Sequence, residues 1–362
     1  MKKFFLMLFF AFGICFGQKQ DDTAGLEITY FRGNVLPHTT DLYHLQGHPE
    51  GFMVSALMKT HGKKEWHSAY NFPDYGVYFL YQNYNNEFLG RSYATGGLYN
   101  FYFLKRHLKL LLCQGITYAT NPYNKEFNSK NKAFGTELLA NTNIGFSFKD
   151  EKLIGKIGFE AGILLTHSSN GRIKSPNSGI NTYLLNMGLS YNFENKSRCD
   201  SDSLRLKKSS VEAVHFDLFF KTGVNESPII NSGQHPFYHF GIYADKRLNR
   251  KSGLQLGTEL FLTTSIKDYI KYKSVAFPEL GIDPNTDYKR VGVFVGHELF
   301  VNKISIVTQV GYYVYRPFKD DISMYDRLGL KYYISKNVAV GFDVKTHLFF
   351  AEALEFGIDY RL

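Results

Sequence analysis

Ile157-Gly158-Phe159-Glu160-Ala161-Gly162-Ile163-Leu164-Leu165-Thr166-His167-Ser168-Ser169 is the stretch that decides the fold. Ile157, Phe159, Ala161, Ile163 and Leu165 fall on one parity, with Gly158, Glu160, Gly162 and Thr166 on the other. After Asn170-Gly171-Arg172-Ile173-Lys174-Ser175-Pro176-Asn177-Ser178-Gly179-Ile180 the alternation resumes. Tyr183, Leu185, Met187, Leu189, Tyr191 and Phe193 then alternate with Thr182, Asn186, Gly188, Ser190 and Asn192. Period two means strands with one apolar and one polar face, and the Pro/Asn/Ser/Gly-rich segment between them is a turn. The pair is a β-hairpin.

Parity also places the chemistry. His167 and Ser169 continue the odd, apolar face of the first strand, and Asn181 opens the odd face of the second. The three project from one side of the hairpin at one end. Residues i and i+2 of a strand are roughly 6.5 to 7 Å apart at Cα, close enough for imidazole and hydroxyl to meet. A serine beside a histidine, with a third polar group to hold the ring, is the layout of an activated nucleophile. The plainer reading is an ordinary polar strand end.

Outward from the hairpin, composition narrows the class. Met1-Lys2-Lys3 followed by an apolar run from Phe4 to Phe16 predicts a secretory signal over residues 1–17, too short to span a bilayer as a helix. Bulky Ile14 argues against Cys15 as a lipoprotein cysteine; of the other two, Cys113 lies in an expected strand and Cys199 in a polar linker, so no disulfide framework is implied. The chain has 33 Phe, 26 Tyr and 32 Gly but one Trp. Mean hydropathy is −0.24, and no mature segment approaches the ~18 apolar residues of a spanning helix. An exported, aromatic-rich chain of alternating strands predicts a transmembrane antiparallel β-barrel, with a soluble sandwich as competitor. The net charge of +9 suits anionic lipid phosphates, since an exported barrel does not meet nucleic acid.

Candidate strands fall near 24–33, 50–59, 74–84, 93–104, 108–119, 136–148, 153–169, 179–193, 211–222, 236–247, 253–266, 288–300, 303–315, 323–334, 337–347 and 351–362. Short turns at Lys105-Arg106, Lys149-Asp150, Asn302-Lys303 and Ser335-Lys336-Asn337 alternate with long links at 34–49, 120–135, 223–235 and 267–287, the habit of outer-membrane barrels. Segment 60–73 breaks the rule, being long where a tight turn is expected. The expected architecture is one barrel of about 14–16 strands, because open edges are forbidden in lipid and one closure removes them. The alternative is two tandem eight-stranded barrels, suggested by the amphipathic ends at Phe193 and Leu362. The domain division follows: 18–193 with the hairpin, a polar linker over 194–210, and C-terminal strands over 211–362. Loop 170–178 then falls on the external side, with His167, Ser169 and Asn181 at the lipid-facing rim.

His167-Ser168-Ser169-Asn170, followed by Pro176-Asn177-Ser178-Gly179-Ile180, resembles the signature of the outer-membrane lipid A 3-O-deacylase (PagL-like) family. Gly62-Lys63-Lys64-Glu65-Trp66-His67 and Asn131-Lys132-Ala133-Phe134-Gly135 resemble features of its long Bacteroidetes-type members, the acyloxyacyl hydrolases. The resemblance implies a barrel in the outer membrane of a Gram-negative bacterium, carrying a His-Ser-acid triad that removes an ester-linked acyl chain from lipopolysaccharide. His167 and Ser169 match; the family's acid falls on Asn181, which can orient a ring N–H but not balance an imidazolium by charge. His-x-Ser-Asn-Gly-Arg with Asn as third member is also similar to the outer-membrane phospholipase A pattern, which would bring calcium near Arg172.

The implied reaction is acyl transfer to water, with His167 as base, Ser169 as nucleophile and Asn181 as orienter. Asn170, Gly171, Arg172 and Asn177 form the expected oxyanion and substrate-binding set. Arg172 and Lys174 either hold a sugar phosphate or are solvated loop charges. No metal or other cofactor is expected outside the phospholipase alternative; the partners are lipid A in the outer leaflet and, as an open option, a second copy of the chain. His38, His44, His48, His61 and His67 lack metal-motif spacing. His347, Glu352 and Lys345 read as a polar rim. Lys156, Glu160, His215, Asp217 and Lys221 read as a wet lumen, which keeps alive a pore or a barrel without catalysis.

Overall fold

The computed structural model describes residues 24–193, 212–348 and 350–362. The expected signal and the linker fall outside these residues. Eight strands form a first closed barrel: β1 (Ala24–Leu36), β2 (Glu50–Lys59), β3 (Asp74–Asn83), β4 (Arg91–Phe103), β5 (Leu108–Ala119), β6 (Leu138–Ile154), β7 (Ile157–Ser169) and β8 (Ile180–Asn192). A second closed barrel holds β9 (Val214–Glu226), β10 (Gln234–Arg247), β11 (Ser252–Thr263), β12 (Arg290–Val301), β13 (Ile304–Tyr315), β14 (Met324–Tyr333), β15 (Val338–His347) and β16 (Phe350–Arg361). The architecture is therefore the tandem alternative rather than one large ring. β8 returns to β1, in register from Gly25↔Asn192 to Leu36↔Asn181, and β16 returns to β9. Each half satisfies its own edges, so both meet the demand for closure.

The outward wall of both barrels is apolar. Ile28, Phe146, Leu185, Met187, Leu256, Val295, Phe356 and Ile358 are exposed there, as a lipid-facing wall requires. The lumens are packed, as eight-stranded barrels usually are. Phe31, Tyr78, Leu98, Leu111, Leu164 and Leu184 fill the first, with Lys109 paired to Glu27 and Glu160, and Lys149 paired to Glu27. Rings of Phe219, Tyr243, Phe261, Phe294, Tyr313 and Tyr325 fill the second around Arg327, which bonds Glu259 and Glu355. The expected wet lumen is thus corrected: Glu160, Asp217 and Lys221 are buried in close-packed interiors, Lys221 on Asp343 at 2.5 Å. Lys156 is not in a strand; it sits in the turn before β7 and donates to the Phe193 carbonyl at 2.8 Å. Lys149 is likewise not a turn residue: it points into the lumen on Glu27, and β6 runs on to Ile154 before the turn at Gly155.

Segment 60–73 owes its length to a short helix, α1 (Glu65–Ala69), which meets the second barrel. The Tyr70 hydroxyl donates to the Phe300 carbonyl at 2.5 Å, and Glu65 faces Arg250 at 3.8 Å. A helix, α2 (Thr264–Ala276), replaces the end of the expected strand 253–266 and the first part of the expected loop 267–287. At the opposite end of the first barrel, the loops after β1, β3 and β5 fold inward. Leu42, Leu45, Leu89, Ala133 and Phe134 cap its mouth with Tyr84 and Ile180.

Candidate active site on the barrel wall

β7 and β8 pair with His167 directly opposite Asn181, both on the outward face. His167 Nδ1 lies 2.7 Å from Asn181 Oδ1, and His167 Nε2 lies 3.1 Å from Ser169 Oγ. An amide oxygen only accepts, so Nδ1 carries the proton and Nε2 is left to accept from the serine. The Asn181 amide donates in turn to His38 Nδ1 at 3.3 Å. His38 thus stands as a fourth member of the chain, from a loop 143 positions away. No spacing in the sequence signals it.

The surroundings are built for close approach. Ser169 is only 7% exposed and pairs with small Ala140 across the β6–β7 ladder. Gly179 has φ +69°, and a Cβ there would stand 3.0 Å from both His167 Cε1 and Ser169 Cβ, so only glycine fits behind the pair. Gly179 N donates to Ala133 O at 3.1 Å and Ser178 N to Lys132 O at 3.1 Å. The Asn131–Gly135 segment is therefore a brace for the hairpin loop.

The loop residues divide by role. Asn170 is a strut: its backbone N–H donates to Asn177 Oδ1 at 2.8 Å, its amide to Lys174 O at 2.8 Å, and its Oδ1 accepts from Arg172 N at 2.9 Å. These bonds commit Asn170 to the loop rather than to an oxyanion. Asn177 Nδ2, by contrast, is buried with no hydrogen-bond partner. Asn177 is tied through its Oδ1 to the backbone of Asn170, the residue after Ser169, and a buried orphan donor is the kind of group an oxyanion would satisfy. Gly171 has φ +60°, and a Cβ there would fall 2.1 Å from Leu354 Cγ of the second barrel.

That contact is part of a clamp. β9 and β16 pair only from Arg361↔Asp217 to Phe356↔Thr222, and beyond Thr222 the seam receives the hairpin loop instead. Glu226 N donates to Arg172 O at 3.0 Å, while Glu226 Oε2 accepts from Ser175 N at 2.6 Å. Ser175 Oγ donates to Ser227 O at 2.7 Å, and the Gln234 amide to Ile173 O at 3.0 Å. The second barrel thus holds the loop that follows Ser169.

The other singled-out residues do not join the site. His347 bonds Tyr313 and faces Glu352 within the second barrel, and Lys345 pairs with Glu352 there. Among the described residues, no group of three or more His, Cys, Asp and Glu side chains stands together as a metal cage. No described helix is long and apolar enough to cross a membrane, which leaves crossing by strands open.

A hydroxyl, an imidazole and an orienting amide in line on a barrel wall define a serine-hydrolase geometry. Two family models match the chain, described as lipid A 3-O-deacylase (PagL) over residues 50–190 and as acyloxyacyl hydrolase, C-terminal domain, over residues 214–362. The chain belongs to this PagL-like family, whose membership with the barrel fold indicates a hydrolase of the Gram-negative outer membrane. No curated protein matches it. Among solved structures, a triple mutant of Rhodopseudomonas blastica porin aligns at 9% identity over 94% of this chain and 99% of that one, with a TM-score of 0.20. A second mutant of the same porin aligns at 10% identity over 94% and 99%, also at 0.20.

Proposed function

We propose that this protein is an outer-membrane serine ester hydrolase that removes an ester-linked acyl chain from lipid A. The observation that carries the reading is the continuous line Ser169–His167–Asn181 on the outward wall at the loop end. His167 Nε2 takes the Ser169 proton as Oγ attacks the ester carbonyl. The tetrahedral oxyanion is met by Asn177 Nδ2, the orphan donor of the loop. His167 then gives its proton to the leaving sugar oxygen, which departs as a hydroxyl, and water, activated by the same ring, clears the acyl-serine. Lipid acyl chains lie against the wall on which Ser169 stands, so proximity is supplied by the membrane itself.

The filled lumens favour wall chemistry over conduction. Asn181 in the acid's place keeps a phospholipase-type reading as the second one. Both are tested together: purified protein in detergent is incubated with lipopolysaccharide and with phospholipid, with and without a calcium chelator. Acyl release from lipopolysaccharide that disappears in Ser169→Ala, with heat-modifiable folding retained, is the expected result. Unchanged release in Ser169→Ala removes the enzyme reading; chelator-sensitive release from phospholipid alone moves it to the second.

A further inference from the structure

The third member of the site is a carboxamide, and a carboxamide fits its place in two ways. Its oxygen and nitrogen are nearly the same size, yet one only accepts and the other only donates. A carboxylate there offers an acceptor whichever way it faces. Asn181 offers one only while Oδ1 faces His167 Nδ1, as it does at 2.7 Å. Turned end for end, it would present Nδ2 instead. The ring would then carry its proton on Nε2, donate to Ser169 and cease to be its base. Either arrangement of the isolated pair holds one hydrogen bond, so the pair alone does not choose.

His38 supplies the choice. Among the described residues the Asn181 side chain has two hydrogen bonds, one with His167 and one from Nδ2 to His38 Nδ1 at 3.3 Å. An amide nitrogen donates, so His38 Nδ1 accepts and the His38 proton sits on Nε2. With Asn181 reversed, Oδ1 would face that lone pair, acceptor against acceptor. We propose that His38 is a positioning residue that locks the Asn181 carboxamide in the orientation that leaves His167 Nε2 free to accept from Ser169; its effect on rate rests on the hydrolase reading above. Hydrogen bonds in a chain polarise one another, so the His38 lone pair also strengthens Oδ1 as an acceptor while His167 becomes charged.

The fold holds His38 at this spot. β1 and β8 pair as far as Leu36↔Asn181, and His38 lies two residues further on, continuing the parity of the outward-facing Asn34 and Leu36. Pro37 fixes its own φ and keeps Leu36 extended. Beyond His38, the helical turn Thr40–Leu45 buries Leu42 and Leu45 in the cap over the barrel mouth. The exposed histidine is thus strung between two anchored points.

The test uses the full chain in detergent, with isotope-labelled histidine and two readouts. The first needs no turnover: imidazole nitrogen NMR without substrate, above the histidine titration range, with the His167 signals assigned by their loss in His167→Gln. A single Nδ1–H tautomer of His167 is expected in wild type, and a mixture with Nε2–H in His38→Leu. His38→Asn, whose side-chain oxygen can stand where Nδ1 stood, is expected to restore the single tautomer. The second readout is kcat for acyl release from lipopolysaccharide, expected to fall roughly two- to tenfold in His38→Leu with KM little changed, and to recover in His38→Asn. In an Asn181→Asp background the loss caused by His38→Leu is expected to shrink below about twofold, because a carboxylate has no wrong way round. A single Nδ1–H tautomer in His38→Leu, an unchanged kcat, no recovery in His38→Asn, or equal losses in both backgrounds overturns the proposal. Acyl release that survives Ser169→Ala would instead overturn the hydrolase reading and leave the tautomer result to be read by itself.

Discussion

Asn181→Ala removes the acceptor that holds His167 Nδ1 at 2.7 Å. Two things then happen to the ring. It is free to turn, and it is free to carry its proton on Nε2, where it cannot accept from Ser169. The lost bond also strengthens during the reaction, because the imidazole becomes an imidazolium as the serine proton arrives. Hydrogen bonds to charged groups contribute about 1.5–3 kcal/mol, against about 0.5–1.5 for neutral ones. Loss of the charged bond at the transition state corresponds to a fall in kcat of roughly ten- to 150-fold. KM should move little, since Asn181 meets the ring and not the lipid. Asn181→Asp keeps the acceptor and adds a charge facing the imidazolium, about 4 kcal/mol of attraction at 4 Å and an effective dielectric of 20 before burial is counted. It also gives up the donor to His38. A kcat equal to or above wild type is expected for Asp. The assay is acyl release from purified lipopolysaccharide over a range of substrate concentrations, with heat-modifiable mobility as the folding check. A folded Asn181→Ala variant with wild-type kcat would refute the reasoning.

Other consequences follow from the same contacts. Glu226→Ala orphans the buried Ser175 N, at about 1–3 kcal/mol, and frees the exposed Gly233 N to water; it should lower kcat/KM for lipopolysaccharide while both barrels stay folded, and unaltered kinetics would show that the clamp is idle. Gly171→Ala places a methyl group against Leu354 and should act similarly, with partial recovery in Gly171→Ala/Leu354→Ala, a pairing that double-mutant kinetics can detect. His167 must be neutral to accept the serine proton, so kcat/KM should rise with pH across the histidine range and then level off; a profile falling over that range would contradict the base assignment. Lys109→Met strips Glu160 of its buried counter-charge, while Glu27 keeps Lys149, and should destabilise the first barrel by about 3–5 kcal/mol, read as a lowered unfolding midpoint in denaturant.

The strands were legible because an apolar outward wall over a packed lumen imposes period two on every strand. That rule places β7 and β8, and parity alone puts His167, Ser169 and Asn181 on one face. Closure was legible only as the tandem alternative, through the amphipathic strand ends at Phe193 and Leu362. Whether β8 pairs with β1 or with β9 is decided by register between strands far apart in the chain, and alternation says nothing about partners. The same blindness hid His38, which reaches Asn181 through tertiary folding of its loop, and the Glu226 clamp, which joins the two barrels. For α2 a signal existed: Ile266, Tyr269, Ile270 and Lys273 follow helical spacing, but in a polar link between strands that spacing was outweighed by the barrel pattern. The roles of Asn170 and Asn177 could not be told apart in the sequence, since both are loop amides; only their partners separate strut from free donor.

The central claim is that Ser169 Oγ becomes covalently acylated. A long-chain fluorophosphonate lipid traps such a nucleophile, and peptide mass spectrometry locates the adduct. The account predicts one adduct, on the peptide carrying Ser169, lost in Ser169→Ala and in His167→Ala. An adduct elsewhere, or labelling that persists in Ser169→Ala, would contradict it.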